Sequence, residues 1–200
     1  MTIDKPWDGH FLEAVVDLLP EDELRFVKVN KLGWERGGFY DWLVAIGTAL
    51  KPRSILEIGV KLGCGGAALA LGAASMGVKI ERYFGVDGVY GIPEGYLDLA
   101  KKILGRWIGD VKVMRVNVND LASIDGQWDL AFLDDGHTSP ETRKQIELAA
   151  SVTSTILVDD CLDPAVNAPV LAALQPGGLL AGWSREWIAT VTGITLLRKP

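Results

Sequence analysis

Ile55-Leu56-Glu57-Ile58-Gly59-Val60-Lys61-Leu62-Gly63-Cys64-Gly65-Gly66 runs from an apolar strand into a glycine-dense turn, and an alanine-rich helix follows directly to Met76. The strand reads from Ser54 to Ile58. A turn of this kind lets a ligand reach the backbone where side chains would otherwise stand, and the helix start offers unpaired N–H groups. The spacing also separates ligand classes. A dinucleotide loop asks for G-x-G-x-x-G, whereas this stretch places Glu57, Gly59 and Gly63 in order, with Gly65 and Gly66 behind. A pyrophosphate at the helix start would be repelled by the strand-end carboxylate of Glu57, and a cationic ligand would be attracted.

Outward from this stretch the chain alternates strand and helix. Phe39, Trp42, Leu43, Ile46 and Leu50 share one helical face ahead of Pro52. Downstream, strand 80–86 leads to a helix over 93–107, and strand 111–116 leads through a short linker to strand 129–133. A helix over 140–150 follows, with Ser139 as N-cap and Pro140 as first helical residue. Strand 155–158 then precedes a short helix near 165–174. Leu179 to Trp183 and Trp187 to Leu197 have no helix between them and read as an antiparallel hairpin. Repeated strand and helix units imply right-handed crossovers and a parallel sheet covered on both faces. The expected architecture is α/β: a Rossmann-like, seven-stranded, mostly parallel sheet closed by a C-terminal antiparallel hairpin.

The first 38 residues form a leader with an apolar-patterned helix (Phe11, Val15, Val16, Leu19) that breaks at Pro20; residues 39–200 form the main domain. In this fold class such a leader either lies over a cofactor and carries substrate and dimer contacts or is plain structure, so a homo-oligomer stays open beside a monomer. At 48% hydrophobic and 23% charged, 200 residues describe one compact domain with a sizeable core. A net charge of -6 argues against a surface that grips nucleic acid. There is no basic leader with an apolar core and no apolar run of membrane-spanning length, which points to a cytoplasmic protein without membrane contact. Cys64 and Cys161 read as reduced thiols.

In a doubly wound sheet, ligands bind outside the carboxyl ends of the strands. The second end places Asp87 and Gly88 roughly 30 residues after Glu57, where a ribose-binding carboxylate is expected. The third end offers Asn119 and Asp120. The fourth reads Asp129-Leu130-Ala131-Phe132-Leu133-Asp134-Asp135-Gly136-His137, and the fifth ends in Asp159-Asp160. Two carboxylates about 4 Å apart repel by on the order of 4 kcal/mol at an effective dielectric near 20, so converging acids need a cation or a proton. An all-oxygen set suits Mg, Ca or Mn. His137 has an unperturbed pKa near neutrality and is a candidate base. Trp183 and Trp187 are candidates to line a substrate pocket, while His10 has no constellation around it.

Glu57, Gly59 and Gly63 resemble motif I of the class I S-adenosylmethionine-dependent methyltransferases, and the segment 129–137 resembles the "DLIFIDGDH" block of small-molecule O-methyltransferases. The resemblance covers roughly residues 39–199. It implies transfer of a methyl group from S-adenosylmethionine to a small-molecule acceptor, with an oxygen acceptor expected and Mg2+ assistance open. It implies cofactor contacts at Glu57, Gly59, Gly63, Asp87, Gly88, Asn119 or Asp120, and Asp134. The same resemblance implies a metal set of Asp134, Asp159 and Asp160, and the catalytic candidates are Asp134 and the candidate base His137. Asp135-Gly136 stand where the block has Gly-Asp, which leaves open whether Asp134 or Asp135 faces the site. Pro176-Gly177-Gly178 sits later than the Pro-Gly-Gly that often precedes the fifth strand; a fifth strand at Leu179 would remove Asp159 and Asp160 from the site but leaves too little chain for a hairpin. The alternatives are an S-adenosylmethionine-binding protein without this catalysis and, more weakly, an NAD-dependent oxidoreductase.

Overall fold

Strands β1 (Ser54–Ile58), β2 (Ile80–Asp87), β3 (Ile108–Arg115), β4 (Leu130–Leu133), β5 (Thr155–Val158), β6 (Ser184–Ile188) and β7 (Ile194–Arg198) form one sheet in the order β3-β2-β1-β4-β5-β7-β6. The computed structural model describes residues 3, 11–21, 38–88, 95–136 and 138–200. β1 to β5 are parallel, and β7 inserts antiparallel between β5 and β6. The expected seven-stranded sheet with its closing hairpin is therefore the observed one.

Helices α1 (Phe11–Val15), α2 (Phe39–Leu50), α3 (Cys64–Ser75) and α4 (Tyr96–Leu104) contribute to one hydrophobic core, and α5 (Ser139–Val152) and α6 (Pro164–Leu174) to the other. The central strands feed both cores by alternation: Ile55, Leu130, Phe132 and Leu157 point to the first, and Leu56, Ala131, Leu133, Ile156 and Val158 to the second. That two-sided burial is why these strands read as continuous apolar runs. Small residues bring α2 and α3 together. A Cβ on Gly47 would run into the Leu69 carbonyl, one on Gly72 into the Val44 carbonyl, and Thr48 Oγ1 donates to the Gly72 carbonyl at 3.3 Å.

The leader buries Phe11 and Val15 in α1 and Leu19 beyond it, while Val16 turns outward, and the helix stops at Val15, short of the break expected at Pro20. It is pinned at both ends. The Phe11 amide donates to Asp41 Oδ1 at 3.0 Å, and Arg106 reaches Asp17 Oδ2 at 2.7 Å and the Ala14 carbonyl. Most of the remaining leader, with His10, lies outside the described residues, as does the expected start of the next-to-central helix at Pro93.

Four boundaries differ from expectation. β3 begins at Ile108, three residues early, because Ile108 is buried and pairs with Ile80 while Gly109 and Asp110 break the apolar pattern on an edge strand. α4 begins at Tyr96 behind Gly95, which holds φ at 87°. In α5 the N-cap is Thr138, so Ser139 is the first helical residue and Pro140 the second. The hairpin strands are shifted as well. Leu179 to Trp183 is a run of turns still closing α6, with the Leu180 amide bonded to the Ala173 carbonyl at 2.8 Å, and the first hairpin strand starts only at Ser184. Its turn is built from Thr190, Thr192 and Gly193, the Gly193 amide donating to Thr190 Oγ1 at 2.9 Å.

Candidate active site

The strand order reverses direction at β1, with β2 on one side and β4 on the other, so the loops leaving β1 and β4 part above a crevice. Gly59 sits at that parting with φ 96°, and a Cβ there would collide with the Asp134 carbonyl and Asp135. Its amide donates to the Val86 carbonyl at 2.8 Å, and the Asp134 amide donates to the Ile58 carbonyl at 2.8 Å, so the three strand ends are stitched together. Gly63, at φ 72°, is the N-cap residue of α3.

Glu57 does not face this crevice in the way a counter-charge for a cation would. Its carboxylate is 1% exposed and lies beneath the first turn of α3, where Tyr83 Oη donates to Oε2 at 2.5 Å and the Gly66 amide donates as well. Gly65 and Gly66 are required there, since a Cβ at either would strike the Glu57 carboxylate. Burial lifts its pKa to about 8, against the lowering effect of the Tyr83 and Gly66 hydrogen bonds. Expected to meet a cationic ligand, the Glu57 carboxylate instead braces the turn.

Asp87, 7% exposed, ends β2 and turns toward the same loop. Its Oδ2 accepts from the Lys61 amide, and the Gly88 and Val60 amides also bond to the carboxylate. Burial raises its pKa in spite of these bonds. Gly88 follows, half-buried, and Asn119 and Asp120 lie exposed on a short 3-10 turn, Val118–Asp120, in which Asn117 Oδ1 accepts from the Asn119 amide at 2.9 Å.

Asp134, Asp159 and Asp160 converge. One carboxylate oxygen from each lies within 4.8 Å of the others. Asp135 is not one of the three but lines the same cleft; its charge bears on Asp87, and its carbonyl accepts from Gln145 Nε2 of α5. Burial, then the charge of Asp159, raises the Asp134 carboxyl far above its ordinary value. Burial lifts Asp159 to about 7, countered by Thr192 Oγ1, which donates to Asp159 Oδ1 at 2.6 Å. Asp160 adopts φ 53°, a left-handed conformation that aspartate tolerates better than most residues. The donor chemistry fits a hard divalent cation: three oxygens at mutual reach, two of them costly to ionise unless a positive charge joins them. A cleft lined by Leu133, Thr142, Gln145, Val158 and Val166 opens beside the three acids. His137 lies outside the described residues.

Tyr40 and Cys64 were not singled out by sequence reasoning as site residues of this crevice. Burial raises the Tyr40 phenol well above its ordinary pKa, and the charges of Cys64, Asp134, Glu57 and Asp159 push it the same way. Its only signal in the sequence is its place in the first turn of α2, beside an apolar face it does not belong to. Trp183 packs on the second core, and Trp187 is 43% exposed with its ring across Gly193 and beside Leu162. The two cysteines are free and buried, and no described helix is long and apolar enough to cross a membrane.

No protein-family description and no curated protein matches this sequence. Solved structures do match. The O-methyltransferase from Bacillus cereus in complex with S-adenosylhomocysteine superposes with a TM-score of 0.59 at 18% identity, covering 94% of this chain and 96% of that one. The fold is the Rossmann-like methyltransferase fold. The O-methyltransferase TomG of Streptomyces achromogenes, involved in tomaymycin synthesis and solved with S-adenosylmethionine, gives a TM-score of 0.57 at 16% identity over 96% of this chain and 91% of its own. A proposed RNA methyltransferase from Pyrococcus horikoshii gives 0.54 at 12% identity over 80% and 83%. Proteins described as O-methyltransferases and as an RNA methyltransferase thus share this fold.

Proposed function

We propose that this chain transfers a methyl group from S-adenosylmethionine to an oxygen of a small-molecule acceptor. The observation that carries the reading is the meeting of two sets of groups at one sheet edge: the bare glycine turn with Asp87 on one side of the crevice, and Asp134, Asp159 and Asp160 on the other. The O-methyltransferases of the same fold, solved with S-adenosylmethionine or its product, support it. An acidic chain of net charge -6 favours a small acceptor over nucleic acid. Two free buried thiols suit a reducing compartment, and we place the protein in the cytoplasm.

In this reading Gly59 and Gly63 keep side chains away from the ligand, and Asp87 offers its remaining lone pairs to the ribose hydroxyls beside Gly88. Asn119 or Asp120 reads the adenine edge. Glu57 acts indirectly, by bracing the turn and the start of α3. The donor supplies an electrophilic methyl when bound, so the protein's tasks are alignment, exclusion of water and removal of the acceptor's proton. Asp134, Asp159 and Asp160 would hold Mg2+ or Mn2+, which acidifies and positions a hydroxyl when bound. His137, by its place in the chain just after β4, is the group we assign to accept the proton. Turnover of a panel of hydroxylated compounds with isotopically labelled donor, with and without chelator, tests the assignment. Methylation at oxygen that chelator abolishes and Mg2+ restores is expected; labelled nucleic acid with no labelled small molecule would overturn it.

A further inference from the structure

We propose that the outer edge of β3 pairs, antiparallel, with the same strand of a second copy of this chain, in one register fixed by Asp110 and Lys112.

β3 ends the sheet on its side and pairs only with β2, and at 8 residues it is as long as β2. The amide of Val116, just past β3, donates to the Asp87 carbonyl of β2 at 2.9 Å. Backbone groups alternate along a strand, so Met114 and Lys112 turn theirs toward β2, while Val113 and Val111 turn theirs away from the sheet. Among the described residues no group bonds to the backbone of Val111 or Val113 on that outer side. The edge is also not roofed over by α4. Val111 and Val113 are half-buried against the first core, and Asp110, Lys112 and Met114 are exposed on the opposite face. Lys112 Nζ lies 3.7 Å from Asp110 Oδ2, which confirms that these two share that face.

An open edge of this length is a template for another strand, and a lone charge on it would serve as a guard against pairing. Two opposite charges placed symmetrically about Val111 do something else. When two copies meet about a two-fold axis through Val111, the two Val111 residues exchange both backbone hydrogen bonds, and Asp110 of each copy stands directly opposite Lys112 of the other. Neighbouring registers fail on charge. An axis through Asp110 sets that acid against itself, one through Lys112 sets that base against itself, and one through Val113 leaves both charges unmatched. An axis between two residues sets outward backbone groups against inward ones and forms no ladder. The sequence of the edge therefore selects one partner, itself, and one alignment.

In this arrangement the strands of the two copies run in opposite directions, so the two crevices open at opposite ends of one continuous sheet and neither copy covers the other's. A contact confined to one strand edge falls below the roughly 1,200 Å² of a stable interface, so the dimer is reversible and concentration-dependent.

Sedimentation equilibrium of the full chain, at low ionic strength and over a range of concentrations, tests the proposal. The parent should show a monomer–dimer equilibrium. Lys112→Asp sets acid against acid at both sites and Asp110→Lys sets base against base, and each should weaken self-association by about tenfold or more. The double variant carrying both substitutions exchanges the charges and should return to within about threefold of the parent. Melting temperatures should stay close to the parent's throughout, because the Asp110 and Lys112 side chains are 59% and 73% exposed. A parent that stays monomeric to millimolar concentration, single variants that associate as the parent does, or a double variant that stays dissociated would each overturn the pairing.

Discussion

Thr192, in the turn of the closing hairpin, donates its hydroxyl to Asp159 Oδ1 at 2.6 Å, across 33 residues of sequence. The hairpin therefore does more than close the sheet edge. The backbone follows the same course, since the Cys161 amide bonds to the Gly193 carbonyl and the Leu162 amide to that of Thr192. This hydrogen bond works against the burial that lifts Asp159, so it keeps that carboxyl closer to ionisation. Thr192→Val, which keeps the shape and removes the donor, should weaken Mn2+ binding at pH 7 by about tenfold if that bond contributes at the upper end of the neutral range. Titration of Mn2+ by electron paramagnetic resonance reads this directly, and equal affinity in the two proteins would separate Thr192 from the site.

Glu57 gives stability a pH dependence whose sign is fixed. Its pKa is about 8 in the folded chain against an ordinary 4.5, so between those values the native state binds more protons than the unfolded state. Stability must then fall as pH rises through that window. Glu57→Gln mimics the protonated form and keeps the partners at Tyr83 and Gly66. The variant should show a shallower decline of melting temperature from pH 5 to pH 8 than the parent. A slope unchanged by the substitution would mean that Glu57 is ionised inside the fold.

The α2 and α3 contact has no room for growth. Gly72→Ala would push a methyl group into the Val44 carbonyl, and although alanine favours helix, separating the two helices should cost about 1–3 kcal/mol. Chemical denaturation would detect it as a lower midpoint with the same slope. A more stable alanine variant would contradict the close crossing.

The strand-turn-helix centred on Glu57 was legible because each level of signal agreed: apolar run, glycine turn, alanine-rich helix. The order of the strand ends was legible for the same reason, and Asp134, Asp159 and Asp160 did come together. What the residues could not disclose was orientation. Glu57 was read as facing a cation, but whether a strand-end carboxylate points out or under the following helix depends on Tyr83, 26 residues away, and on the missing side chains at Gly65 and Gly66. Tyr40 was passed over because a helix read for its apolar face gives no weight to the residue beside it. The hairpin was misplaced because Leu179 to Trp183 looks like a strand by composition, while the Ala173 carbonyl keeps Leu180 bound to the end of α6.

Asp160→Asn should separate the two halves of the crevice. Asp160 belongs to the acidic group and is not among the groups assigned to the nucleoside, so S-adenosylhomocysteine affinity should stay within about threefold while stabilisation by Mn2+ is lost. Thermal melts with each ligand measure both. Loss of S-adenosylhomocysteine binding in this variant would mean that the acid pair after β5 serves the donor and not a cation.

The central claim is that the glycine turn and Asp87 hold an adenosyl sulfonium compound, and calorimetric titration of the full chain with S-adenosylhomocysteine and, separately, with NAD tests it most directly. The account predicts saturable heat at one site per chain with S-adenosylhomocysteine, none with NAD, and an affinity lower by about tenfold or more in Asp87→Ala, where charged hydrogen bonds to the ribose are removed. Saturable binding of NAD with no heat from S-adenosylhomocysteine would contradict it.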